Sequence, residues 1–157
     1  MRNLFENGAA VAAAPPKVKQ LATFHVADRF YGIDVIQVQE IAKALPLTPI
    51  HLSAPYVAGL INLRGQIATA IDLRKLFQLA NAPAGEKMSV ICKLEGGLVS
   101  LLVDEIGDVL ELAESDFEPT PETVPEATRR FLSGVYKTPH SILSIIDISN
   151  LSTFLSK

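Results

Sequence analysis

An internal duplication constrains this chain more than any other feature. Tyr31-Gly-Ile-Asp-Val-Ile-Gln-Val-Gln-Glu-Ile41 lies on Val99-Ser-Leu-Leu-Val-Asp-Glu-Ile-Gly-Asp-Val109 at an offset of 68 residues. Apolar residues coincide at 31/99, 33/101, 35/103, 38/106 and 41/109, and Glu40 falls on Asp108. A second match follows at an offset of 75, where Gly59-Leu-Ile and Ile71-Asp72-Leu73 recur with the same spacing as Gly134-Val-Tyr and Ile146-Asp147-Ile148. The seven extra residues belong between the paired segments of the second copy, and Glu118-Pro-Thr-Pro-Glu-Thr-Val-Pro125 is the natural place for them. Two matches in the same order are hard to produce by chance. Copies of about 60 to 70 residues are each marginal alone. They are therefore expected to pack together across an apolar seam.

Each copy reads mainly as strands. Leu21 to Val26 is β-prone, and Ala27-Asp28-Arg29 can turn it into Phe30-Tyr31-Gly32-Ile33. Met88 to Leu94 runs through Glu95-Gly96-Gly97 into Leu98 to Val103. Leu60 to Leu63, a bend at Arg64-Gly65, and Gln66 to Ile71 form another hairpin. Asp34 followed by Gln37 resembles a capping box that opens one helical turn. Asp72 and Asp147 precede amphipathic stretches, Leu73 to Leu79 and Ile148 to Leu155, which read as short capping helices. Short strands with frequent turns indicate a barrel or a sandwich.

Composition narrows the function classes. Of 157 residues, 48% are apolar and 20% charged, with a net charge of -3. A nucleic-acid binder usually carries a basic surplus. Here only Arg129 and Arg130 are adjacent arginines, and 6% aromatic residues without Trp make a base-stacking platform a poor fit. Cys92 is the single cysteine, which rules out an intramolecular disulfide and suits a reducing cytosol. The apolar runs fall short of the roughly 20 residues of a membrane helix. Residues 1–18 read as a flexible Ala/Pro-rich tail. A signal peptide fits less well, because Arg2 is the only cation of its n-region and the apolar part is short.

No catalytic set emerges. His25, His51 and His140 have no metal-motif spacing, and His25 is expected on a strand facing solvent or an edge. Gly96-Gly97 reads as a turn rather than a phosphate cradle, and Cys92 as a buried structural residue. The equivalence of Asp72 and Asp147 favours repeated capping over a carboxylate pair. Asp116, Glu118 and Glu122 read as solvated loop acids. The chain is therefore expected to be a binding module, not an enzyme, with no metal or cofactor.

One set of blocks is similar to a known family. Gly59-Leu-Ile-Asn62-Leu63-Arg64-Gly65-Gln66 with Ile71-Asp72-Leu73-Arg74 resembles the signature of the CheW-like coupling proteins. Tyr31-Gly32-Ile33-Asp34 with Val38-Gln39-Glu40-Ile41 resembles that family's first block, and Val103 to Val109 its counterpart in the second half. The resemblance covers residues 19–157, with subdomains of about 21–80 and 85–157. Thr69 and His51 stand where many relatives carry Pro.

The resemblance implies a mainly β fold of two pseudo-repeated, SH3-like five-stranded barrels with short capping helices. It implies a cytoplasmic adaptor, recruited to membrane-associated receptor arrays without inserting into the membrane. Its partners would be the regulatory domain of the histidine kinase CheA and the cytoplasmic tips of chemoreceptors. Val38, Gly59 and Arg64 fall where relatives contact receptor or depend on that surface, Glu40 near the kinase contact, and Asn62 within the same signature. Each has a structural alternative. Arg64 can tie its own hairpin to Glu40, Val38 can be core, and Gly59 can be glycine for backbone reasons. The position of Arg64 at a hairpin tip favours contact. Two other functions compete: coupling in another chemosensory system, such as pilus-driven motility, and a small barrel that binds nucleic acid or a ligand.

Overall fold

A computed structural model of the chain describes residues 17–43, 45–51, 53–80 and 87–156. The expected tail therefore lies almost wholly outside the described residues. Strand β1 (Val18–Val26) turns through Ala27-Asp28 into β2 (Arg29–Asp34). Asp34 then accepts the Ile36 amide at 3.1 Å and caps one 3-10 turn, Val35–Gln37. The first half continues through β3 (Val38–Lys43), β4 (Val57–Leu63), β5 (Gln66–Asp72) and the one-turn helix α1 (Leu73–Leu76). The second half repeats the series: β6 (Met88–Leu94), β7 (Gly97–Val103), β8 (Glu105–Ala113), β9 (Leu132–Lys137), β10 (Ile142–Ile146) and α3 (Ile148–Leu155). A short helix α2 (Glu126–Arg129) lies in the longer β8–β9 connection, beside the prolines.

The strands form two five-stranded sheets, ordered β9-β10-β2-β1-β8 and β3-β6-β7-β5-β4. Exchanging the two copies turns one order into the other read backwards. The duplication is therefore present in the topology as well as in the spacing. It extends to single bonds. Tyr31 pairs in parallel with Ser144, as Val99 does with Thr69. The Asp72 amide donates to the Tyr56 carbonyl, and the Asp147 amide to that of Phe131, both at 2.8 Å. Asp72 and Asp147 both cap the helices that follow them, as expected from the sequence: Asp72 accepts the Arg74 amide and Asp147 the Asn150 amide, each at 3.0 Å.

The sheets do not follow the division into 21–80 and 85–157. Each one takes its first hairpin from one half and its other three strands from the other half. Alternating burial along a strand decides which face goes inward, but leaves open which neighbour it pairs with. The main core is shared accordingly. It joins Phe24, Tyr31 and Ile33 to Val90, Cys92, Val99 and Leu101, and is closed by Leu73, Phe77, Phe131 and Leu151. Each sheet also has a small core of its own, and these two are equivalent: Ile61, Ala68 and Ala70 in one, Tyr136, Leu143 and Ile145 in the other. Cys92 is buried, which pushes its thiol up to about 12, as suits a structural cysteine. His25 is not on an edge strand. It is half-buried in β1 between β2 and β8, its ring stacked 4.8 Å from that of Phe30.

One carboxylate ties this exchange together. Asp104, between β7 and β8, accepts the Ala27 amide at 2.7 Å, the Arg74 guanidinium at 2.6 Å and the Lys87 ammonium at 3.0 Å. Burial pushes its carboxyl up, but the bonds from Arg74, Ala27 and Lys87 outweigh burial and hold it at about 2. Because the folded value lies below that of an unfolded Asp, this contribution is intact above about pH 4 and is lost as the pH falls toward 2. Asp104→Asn should lower unfolding free energy by about 2 kcal/mol at neutral pH. Urea melts at pH 7 and pH 3 should also show a smaller loss on acidification for the variant than for the wild type.

Candidate functional site

The hairpin β4–β5 turns in two residues. Leu63 pairs with Gln66, and the residues between them, Arg64 and Gly65, have φ of 52° and 91°. Positive φ at both positions is the type I′ arrangement, whose twist matches the flanking strands. The Asn62 side chain accepts the Gly65 amide at 3.0 Å and holds the turn. Asn62 thus has a local structural task on an exposed site.

Arg64 is the unusual member. An L-residue other than Asn or Asp in the left-handed region costs about 1–3 kcal/mol. Its guanidinium pairs with Glu40 on β3, as the structural reading expected, yet its side chain is 70% exposed against 28% for Glu40. An exposed ion pair contributes about 0–1 kcal/mol. The pair therefore does not offset the backbone strain. Among the described residues Glu40 is the only group bonded to the guanidinium, so its other N–H groups point outward unused. Glu40 orients the fork, and the hairpin presents it.

The remaining expected residues lie inside. Gly59 is buried with φ of 150°, and a Cβ there would sit 2.6 Å from the Thr48 carbonyl oxygen. That close approach forms a two-bond bridge between Thr48 and Leu60, at 2.9 and 2.8 Å. Its equivalent, Gly134, lies under the Glu118–Val135 bridge, where a Cβ would meet the Glu118 carbonyl at 2.5 Å. Glycine at both sites has a backbone reason. Val38 is half-buried and packs against the main core. Of the five residues, the structure joins Glu40, Asn62 and Arg64 near one tip, leaves Val38 half-buried on β3 and places Gly59 beneath the surface.

A second surface escaped the sequence reading. Where the chain passes from one sheet to the other, Val18, Gln20, Val35 and Ile36 line an open groove, with Lys19 and Asp34 paired across it at 3.1 Å. Ile36 is 76% exposed and Val18 49%. Val109, also exposed, lies on the same face, because it pairs with Ala22 beside the Gln20–Glu111 pair. The signal was present in Val35-Ile36: two adjacent apolar residues in a single capped turn cannot both point inward. Ile36 is also the duplication partner of Asp104, so one copy holds an internal tie where the other presents an apolar side chain. Among the described residues no group of His, Cys, Asp or Glu is placed to hold a metal, and no helix is long and apolar enough to cross a membrane.

Comparison with known proteins places this arrangement. The family model of the CheW-like domain matches residues 20–154. The Chemotaxis protein CheW of Treponema pallidum is 31% identical over 137 residues, covering 84% of this chain and 81% of the relative. That of Bacillus subtilis is 33% identical over 130 residues, covering 82% and 83%. The crystal structure of the scaffolding protein TtCheW from Thermoanaerobacter tengcongensis superposes with a TM-score of 0.77 at 30% identity, covering 87% of this chain and 92% of that one.

If Arg64 is strained, a residue suited to the left-handed region should relieve it. Arg64→Asn is expected to leave the thermal midpoint unchanged or raise it slightly. Gly59→Ala, by contrast, should cost about 1–3 kcal/mol in a denaturant melt.

Proposed function

The chain belongs to the CheW-like domain family, and from that premise we propose how its two surfaces serve an adaptor that couples chemoreceptors to the histidine kinase CheA. The protein is a non-catalytic chemotaxis scaffold, so its work is to hold partners in a fixed relation. The hairpin tip carrying Arg64 takes the regulatory domain of CheA, because its guanidinium is held by Glu40, the residue that falls near the kinase contact, in place of the receptor contact that the resemblance alone implies for Arg64. A planar fork with free donors is suited to carboxylates and carbonyls at a rim, and such an arginine is a frequent anchor. The groove at Val18, Val35 and Ile36 takes the cytoplasmic tip of a receptor. An open trough with Val18, Val35 and Ile36 as its apolar side chains, edged by Lys19, Asp34 and Glu111, fits the ridge of an amphipathic helix with polar flanks. Recruitment from the cytoplasm to membrane-associated arrays then follows from receptor binding alone.

The observation that carries this reading is the exposed Arg64 in a strained turn, which its local ion pair does not account for. Titration calorimetry against each partner separates the surfaces. Arg64→Asn should weaken kinase binding by about 2 kcal/mol, roughly thirtyfold, and leave receptor binding near wild type. Ile36→Ser should do the reverse. Unchanged kinase affinity in folded Arg64→Asn would remove the tip from the interface.

A further inference from the structure

A cavity of about 240 Å³ opens where α1, α2 and α3 meet the Pro55-Tyr56 segment, and it shares no lining residue with either surface above. Its floor is aromatic. The rings of Tyr56 and Phe154 lie 5.7 Å apart, and those of Phe131 and Phe154 4.9 Å. Its rim carries Lys75, Gln78 and Arg130. The Arg130 guanidinium stands 4.8 Å from the Phe154 ring centre and 5.3 Å from that of Phe131, held by ring faces rather than by a carboxylate. Neither Arg130 nor Lys75 forms an ion pair among the described residues, although Glu126 lies one turn before Arg130 on α2. No acidic residue lines the cavity, on a chain whose net charge is -3.

The rim shows a further departure. Gln78 follows α1 with φ of 56°, in a left-handed cap closed by the Leu79 amide on the Arg74 carbonyl at 2.7 Å. Glycine is the usual residue there. A side chain with a donor and an acceptor is kept at the rim despite the strain.

We propose that this cavity is a third docking site, which takes a short acidic peptide segment of a partner protein: one large apolar side chain seated among Tyr56, Phe131 and Phe154, and flanking carboxylates on Lys75 and Arg130. The charge is complementary. The volume lies below the roughly 300–1,000 Å³ of pockets for drug-sized ligands and suits a single side chain. Aromatic walls beneath two cations select an anchor with acids on either side.

The test uses the full chain and a fluorescein-labelled peptide, Glu-Asp-Phe-Asp-Glu, followed by anisotropy and by amide shifts. Saturable binding is expected, with shifts centred on Gln78, Arg130 and Phe154. Affinity should fall at least tenfold in the Lys75→Gln, Arg130→Gln double variant, whose thermal midpoint should fall by no more than about 8 °C, since both side chains are exposed and only the Arg130 contact with the rings is lost. Replacing the peptide's Phe by Ser, or its acids by amides, should abolish binding. The proposal is overturned by no saturable binding, by equal affinity for the double variant, or by shifts centred on the Arg64 hairpin. Anionic phosphatidylserine vesicles that shift the same amides when the peptide does not would assign the site to a membrane surface and overturn it equally.

Discussion

Each sheet of this molecule is closed by a hairpin from the other half of the chain. The parallel pairings of β2 with β10 and of β5 with β7 make this so, and everything else depends on them. Had each copy closed its own sheet, two domains of marginal size would meet across an optional interface. With the hairpins exchanged, backbone bonds join the halves, and the main core cannot be assigned to either. Asp104 shows the consequence at one residue. Its carboxylate bonds the first hairpin's turn, α1 and Lys87 at once. An adaptor transmits geometry, and this construction makes the two barrels one body.

Duplication also supplies pairs of equivalent positions, and the candidate functions lie where the pairs have diverged. Ile36 and Asp104 are equivalent, yet one is an exposed apolar side chain and the other an interior tie. Arg64-Gly65 corresponds to Pro139-His140 at the other hairpin, so a guanidinium is offered by one barrel only. Gly59 and Gly134 have not diverged, because both lie beneath a bridging strand that leaves no room for a Cβ. Retained pairs mark what the fold requires, and altered pairs mark what a partner can distinguish.

Much of this was legible in the residues. The Arg64-Gly65 bend, the capping roles of Asp34, Asp72 and Asp147, and the buried Cys92 rest on local rules of turn and cap chemistry, and these hold regardless of tertiary context. The exchange of hairpins was not legible. Strand pairing is a long-range choice that an alternating pattern leaves undetermined. The site was read in part. Glu40 and Arg64 do meet, but the two readings of Arg64 are not exclusive, since the ion pair aims a side chain that the turn exposes. Val38 is half-buried against the core, and family position alone does not report burial. Ile36 is hidden in the sequence because the cap signal of Asp34 fixes the turn but not which side chain the turn leaves outside.

Separating the halves tests the exchange most directly. Residues 1–83 and 84–157 can be produced as two peptides and followed by amide proton dispersion, alone and mixed one to one. Interlaced sheets predict that each peptide alone is collapsed or unfolded, and that mixing restores the dispersed spectrum of the intact chain with a single cooperative melt. A half that folds alone, with its own sharp transition and no change on mixing, would contradict the exchange and leave two independent barrels in its place.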